Sequence, residues 1–334
     1  MLRGADGTAI RAISDTSWRQ GASAPEAWPH IEKIPTEWSA ARSFGPVSAH
    51  SGPWGAAMAP SVATPAERFS VPPGFVVELM HSAGSGEGSW VSMTFGPEGE
   101  IYVSPQQGQL MRLRFPSGPN AQPTVETLDT PAHSAQGLLF AHGALYVNVQ
   151  GGPDGGLQRL RDADQDGTFE EHTVLTRYGP PGEHGPHGVV LGPDGLLYFV
   201  NGNHTDQPEK IAASSPFQHG AEDVLLERLW DPRGHAVGVM APGGAVMRMD
   251  PTTQRIELIY AGMRNSYDLA FAPNGELFSY DSDMEWDIGA SWYRSPRVVH
   301  VVPGGENGWR SGSAKWPSAY PDSLPPVLET GPSS

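Results

Sequence analysis

Four segments of this 334-residue chain repeat one pattern, and that repetition narrows the possible folds more than any other feature. Phe95-GPEGEIYV, Phe140-AHGALYV, Leu191-GPDGLLYFV and Phe271-APNGELFSY each read as strand, tight turn, strand. The turn glycines Gly99, Gly143, Gly195 and Gly275 lie 44, 52 and 80 residues apart. Glycine suits such turns because it reaches positive φ without a Cβ clash. After each turn comes a segment alternating apolar and polar residues: Leu110-MRLR, Leu157-QRLR, Val246-MRMD and, more loosely, Arg297-VVHV. Alternation of that kind belongs to half-buried strands. A period of about 45 residues with about four strands per unit is the pattern of β-propeller blades. The chain is therefore expected to be all-β, with a propeller of about four blades over residues 68–334. The ending Leu324-PPVLETGPSS reads as the lead-in to a further blade, so a propeller truncated at its C-terminus is expected.

Composition agrees with many short strands joined by turns. Glycine (41) and proline (33) are abundant, hydrophobic residues make up 38% and charged residues 17%. Ten tryptophans, eleven phenylalanines and nine tyrosines give large apolar surfaces to bury, which sets the chain apart from disordered sequences. The net charge of −16 repels phosphate backbones, so no nucleic-acid partner is expected, and it suits hard cations. The absence of cysteine excludes disulfides, zinc–thiolate centres and covalent c-type haem within the chain. No apolar run reaches membrane-spanning length, and Met1–Gln20 lacks a signal-peptide core, so any export signal would lie upstream.

Residues 1–57 differ from the repeats. Trp18, Trp28, Trp38 and Trp54 fall there, and the run through Pro35-TEWSAARSFG resembles the closing part of a galactose-binding-like β-sandwich. An Ala/Pro/Ser/Thr-rich linker at 58–67 separates it from the propeller. Between the third and fourth repeats, Thr205–Gly244 is too long for a simple loop and reads as an insertion over one face. Its Asp231, Arg233 and His235 can line a pocket or pin the insertion down.

Two motifs bear chemistry. In Gly182-EHGPHGVVLGPDGLLYFVNGNHT, His184 and His187 precede a strand and so stand at a loop–strand junction near the propeller axis. A neutral imidazole there can take an alcohol proton while hydride leaves the carbon, or it can simply bond loop backbone. In Gly262-MRNSYDLAFAPNGELFSYDSDMEWDIG, Arg264 and Asn265 precede a strand in the same way, which places both pairs on one face. Arginine grips carboxylates in a fork; the alternative is an arginine bonded to loop carbonyls. Two acidic runs are calcium candidates. Asp162, Asp164 and Asp166 have calcium-loop spacing, with Gly167 for the turn and Glu170 at the ninth position, although Thr173 stands at the twelfth. The alternative is an acidic turn held by its own Asx bonds. In the second run, Asp281, Asp283, Glu285 and Asp287 alternate along a strand, where like charges repel without a cation.

The two motifs together resemble the soluble glucose and aldose sugar dehydrogenases, six-bladed propellers that bind pyrroloquinoline quinone with calcium. The resemblance implies His184 as catalytic base and His187, Arg264 and Asn265 as cofactor contacts. It also implies a bridging calcium segment at Asp281 and Asp283. Pro303-GGENGW resembles a further segment of that family. Over the propeller the chain also resembles the planctomycete-type membrane-bound dehydrogenases, which implies a periplasmic or secreted protein passing electrons from a sugar or polyol to a cytochrome c partner or domain. Ser266-Tyr267-Asp268 depart from the family's pattern, and its later-blade arginine and lysine contacts would lie beyond Ser334. Two other functions compete: a non-catalytic propeller that binds glycan or protein and keeps structural calcium, and a propeller metal hydrolase.

Overall fold

A computed structural model describes residues 63–116, 123–150, 155–180, 182–218, 236–287, 290–310 and 323–331, together with four two-residue strands before residue 63. Two compact units divide the chain, Met1–Ser82 and Ala83–Ser334. In the first, β1 (Leu2–Arg3) pairs with β2 (Ala9–Ile10), β3 (Arg19–Gln20) pairs with β4 (Ser39–Ala40), and a single 3₁₀ turn spans Ala66–Arg68. The β-sandwich expected over 1–57 lies mostly outside the described residues, as do Asp231, Arg233 and His235.

The second unit is a β-propeller arrangement of four blades, each a four-stranded antiparallel sheet. Blade 1 contains β5 (Trp90–Phe95), β6 (Ile101–Pro105), β7 (Met111–Arg114) and β8 (Thr124–Thr127). Blade 2 contains β9 (Ala135–Ala141), β10 (Ala144–Val149), β11 (Gly156–Arg161) and β12 (Glu171–Arg177). Blade 3 contains β13 (Pro186–Leu191), β14 (Leu197–Asn201), β15 (Gly244–Met249) and β16 (Ile256–Met263). Blade 4 contains β17 (Leu269–Phe271), β18 (Leu277–Asp281), β21 (Arg297–His300) and β22 (Leu328–Glu329), with the hairpin of β19 (Met284–Asp287) and β20 (Ala290–Arg294) inserted between its second and third strands.

The recurring turns join the first two strands of every blade. The tightest, His142-Gly143, leaves only two residues between β9 and β10, with φ of 51° and 70°. Positive φ at both central positions is the hairpin geometry whose twist matches antiparallel strands.

The inner strands β5, β9, β13 and β17 stand side by side, and the apolar faces between blades supply the core. Leu110, Leu145, Val147 and Leu160 pack between blades 1 and 2. Tyr146, Leu157, Phe199 and Met247 pack between blades 2 and 3, and Val200, Tyr260, Leu277 and Val299 between blades 3 and 4. Each of these side chains is less than a tenth exposed, so blade–blade burial is the main source of cohesion.

A cross-strand ladder recurs on the sheets. In blade 1, Tyr102 stands opposite Arg112, which stands opposite Glu126, and the Arg112 Nη2 donates to Glu126 Oε2 at 2.8 Å. Blade 3 repeats it with Tyr198, Arg248 and Glu257, where Arg248 Nε donates to Glu257 Oε2 at 2.8 Å. In blade 2 the same positions hold Tyr146, Arg159 and Thr173. Blade 4 replaces the first pair by Phe278 opposite His300.

Candidate functional site

The junctions leading into β13 and β17 bring His184, Arg264 and Asn265 together with His187, which lies within the start of β13 and not before the strand as its motif suggested. His184 is buried at 3% exposure. Its Nδ1 lies 2.5 Å from Asn203 Oδ1, and because a carbonyl oxygen can only accept, Nδ1 carries the proton. In the neutral form of the ring, the lone pair is then on Nε2. Thr205 Oγ1 donates to the His184 carbonyl at 3.0 Å, which ties the loop down. His204 stacks on the His184 ring with centroids 4.1 Å apart and planes 14° from parallel.

His187 reaches three blades. Its Nε2 donates to Asn265 Oδ1 at 2.8 Å in the lead-in to blade 4, and its carbonyl accepts from Asn148 Nδ2 at 2.7 Å in blade 2. Asn148 is fixed in turn by the Tyr178 hydroxyl at 2.9 Å. The Tyr267 ring lies 4.5 Å from the imidazole, and the Tyr267 hydroxyl donates to the Val91 carbonyl of blade 1 at 3.0 Å. Burial pushes the His187 pKa down to about 4, with the Asn265 hydrogen bond opposing it, so the ring is neutral near pH 7.

Arg264 and Asn265 hang from one carboxylate. Asp281, fully buried, accepts the backbone N–H of both at 3.0 Å through Oδ1. Its Oδ2 takes Nη2 of Arg297 at 3.0 Å and Nε at 3.2 Å. Burial draws the Arg297 pKa down and Asp281 pulls it back up. The Arg264 side chain donates to Ser282 Oγ at 3.1 Å and lies 3.6 Å from Glu285. Asn203 N–H bonds the Arg264 carbonyl at 2.8 Å, which joins the two halves of the site.

Among the described residues, His187 Nδ1, Asn203 Nδ2 and Arg264 Nε are buried polar atoms of this site that meet no hydrogen-bond partner. Native proteins seldom leave such groups unmet, and where they gather they mark places where a ligand or water completes the bonding.

The acidic candidates part company. Asp162, Asp164, Asp166 and Glu170 converge in the β11–β12 turn with one ligand oxygen each, all within 4.8 Å of one another. Each also accepts a backbone N–H, Gly167 to Asp162 at 2.8 Å being one, and Asp162 Oδ1 is buried without a partner among the described residues. Asp281 and Asp283 do not gather into a metal-ligating group among the described residues; Asp281 is engaged by Arg297 and two backbone amides. A group that the sequence motifs did not suggest does form: Glu183, His184 and His204 present ligand atoms within 4.8 Å. Asn203, His204 and Asn148 are the site residues that sequence reasoning missed. The first two lie within the NGNHT run closing β14, where alternating amides at Asn201 and Asn203 were the available signal.

No family model and no curated protein sequence matches the chain. Among solved structures it is similar to an oxidoreductase (glucose dehydrogenase) of Thermus thermophilus, at 20% identity over 73% of this chain and 70% of that one, with a TM-score of 0.44. It is similar to the quinone-bound aldose sugar dehydrogenase of Streptomyces coelicolor at 16% identity over 75% and 70%, TM-score 0.44. It also resembles the calcium structure of a Trichoderma reesei carbohydrate-active enzyme of family AA12, at 14% identity over 68% of this chain and 56% of that one, TM-score 0.45.

Proposed function

We propose that this chain is the propeller of a dehydrogenase that oxidises a hydroxyl of a sugar or polyol, with His184 as general base. The observation that carries the reading is the bond from His184 Nδ1 to Asn203 Oδ1, which fixes the tautomer and puts the accepting lone pair on Nε2. A bound pyrroloquinoline quinone would supply the two-electron acceptor for the hydride leaving the carbinol carbon. The hydroxyl proton goes to His184 Nε2 as the carbonyl forms. The unmet Arg264 N–H fits one carboxylate of the quinone, whereas Arg297 is already neutralised by Asp281. Three carboxylates ask for more cations than the described residues bring to this end, so the fit is partial.

Calcium fits the β11–β12 turn better: four carboxylates, a turn glycine and the buried unpartnered Asp162 oxygen make a hard-oxygen cage. A six-blade count, a β-sandwich over 1–57, a periplasmic or secreted location and a cytochrome c electron acceptor complete the proposal on sequence motifs alone. Among the described residues no helix is long and apolar enough to cross a membrane.

The test is dye-coupled oxidation of a panel of sugars by the chain loaded with quinone and calcium. General-base catalysis is worth at least about 100-fold, so His184→Gln should lower turnover by that much or more. Equal turnover in the variant would remove His184 from the reaction. A second reading, a propeller metal hydrolase, is favoured by the Glu183–His184–His204 group, because a metal held there would occupy His184. Ester or lactone hydrolysis abolished by a chelator and restored by zinc, without sugar oxidation, would decide for it.

A further inference from the structure

The ladder of the blades is incomplete in one place. In blades 1 and 3 the third-strand arginine meets a glutamate of the fourth strand, Glu126 or Glu257, at 2.8 Å. In blade 2 the register is the same, Tyr146 to Arg159 to residue 173, but residue 173 is a threonine. Directly opposed residues of antiparallel strands share a face, so a carboxylate at 173 would stand where Glu126 and Glu257 stand in their blades. Arg159 sits beside the Tyr146 hydroxyl, and no carboxylate lies within 4.0 Å of it among the described residues.

This is also where a groove of about 550 Å³ opens between blades 2 and 3. Arg159, Arg161 and Tyr146 line one wall, and the β15–β16 turn supplies Thr252 and Gln254 on the other. Asp250 borders the groove, but its Oδ1 is held by the Thr252 and Thr253 amides at 2.8 and 3.3 Å. Arg161 leans on Glu171 only at 3.6 Å, with both side chains about half exposed.

We propose that this groove binds a carboxylate-bearing saccharide, its carboxylate taking at Arg159 the place that Glu126 and Glu257 fill in the neighbouring blades. The planar guanidinium offers a forked pair of donors to a carboxylate. Thr252 and Gln254 add hydroxyl and amide groups suited to sugar hydroxyls. The groove's volume accommodates one or two sugar rings. Nothing in this inference depends on His184, and it stands or falls separately from the dehydrogenase reading.

The experiment titrates the full chain with D-glucuronate, D-glucose and succinate up to about 10 mM by calorimetry or NMR. Saturable glucuronate binding is expected, with glucose at least about tenfold weaker; succinate separates a simple carboxylate preference from one that also uses sugar hydroxyls. Arg159→Gln should weaken glucuronate at least about tenfold. Thr173→Glu should do the same by rebuilding the internal pair, while its melting temperature stays at or above that of the unaltered chain. Absence of saturable glucuronate binding, glucose binding as tightly, or glucuronate affinity unchanged in either folded variant would overturn the proposal. Succinate binding that equals glucuronate would overturn the saccharide part.

Discussion

His187 should make the fold sensitive to mild acid, and the size of the effect follows from its surroundings. The ring is buried against Tyr267, donates Nε2–H to Asn265 and keeps a buried Nδ1 that would have to accept the second proton. Its pKa is about 4 in the folded chain against 6.5 for the ordinary side chain. A depressed folded value means that the unfolded chain binds the extra proton first as pH falls. The stabilisation is therefore whole above the unfolded value and is lost as pH drops through the folded one. At roughly 1.4 kcal/mol per pH unit, the full window is worth about 3 kcal/mol, of which about 2 is gone by pH 5. Urea unfolding of the unaltered chain and of His187→Gln between about pH 7.5 and 4.5 isolates this contribution, since every other side chain is common to both. The stability of the unaltered chain should fall more steeply with acid, by close to one proton. Nitrogen chemical shifts of the imidazole should report an Nε2–H tautomer that stays neutral down to about pH 5. A ring that titrates above pH 6, or the same pH slope in both proteins, would refute the argument.

Three further outcomes are expected. Asp281→Asn leaves the Arg297 charge buried without its partner and should cost about 3–5 kcal/mol in urea unfolding; the Asp281→Asn/Arg297→Met pair should recover part of that, and strict additivity would show that the two do not interact. Gly137→Ala would press a Cβ into the His187 carbonyl oxygen, so blades 2 and 3 must part, and a loss of about 1–3 kcal/mol should appear in its melting curve. Calcium should raise the melting temperature of the unaltered chain and not that of Asp164→Ala, with a calorimetric binding signal present only in the former.

The blades were legible because their signal is local: each turn and its flanking strands sit within about a dozen residues. The pairing of the two motif faces was legible for the same reason, since His184 and Arg264 hold equivalent places in successive repeats, each seven residues before the turn-leading Leu191 or Phe271, and their neighbours His187 and Asn265 meet at 2.8 Å. The cross-strand partners were harder to read. Arg297 was visible as a strand residue, but its opposition to Asp281 depends on a register interrupted by the β19–β20 hairpin. The acidic run from Asp281 to Asp287 reads as one ligand strip in sequence, yet the chain breaks it between the end of β18 and that hairpin. Asn203 escaped notice because an amide that orients a histidine leaves no periodic trace. The 80-residue gap between the last two turns reflects the 42 residues between β14 and β15, most of which bear no repeat signal.

His187 acts as a rivet: its carbonyl is fastened to blade 2, its imidazole to the lead-in of blade 4, and its own backbone belongs to blade 3. A transient separation of either neighbouring pair of blades would disarm the site while most of the sheets remained intact. Amide hydrogen exchange at Gly188 and Asn203, whose N–H groups bond Tyr267 and Arg264 across that seam, would then track loss of function more closely than the melting of any single blade. Heat inactivation would begin at the seams, below the temperature at which the strands themselves come apart.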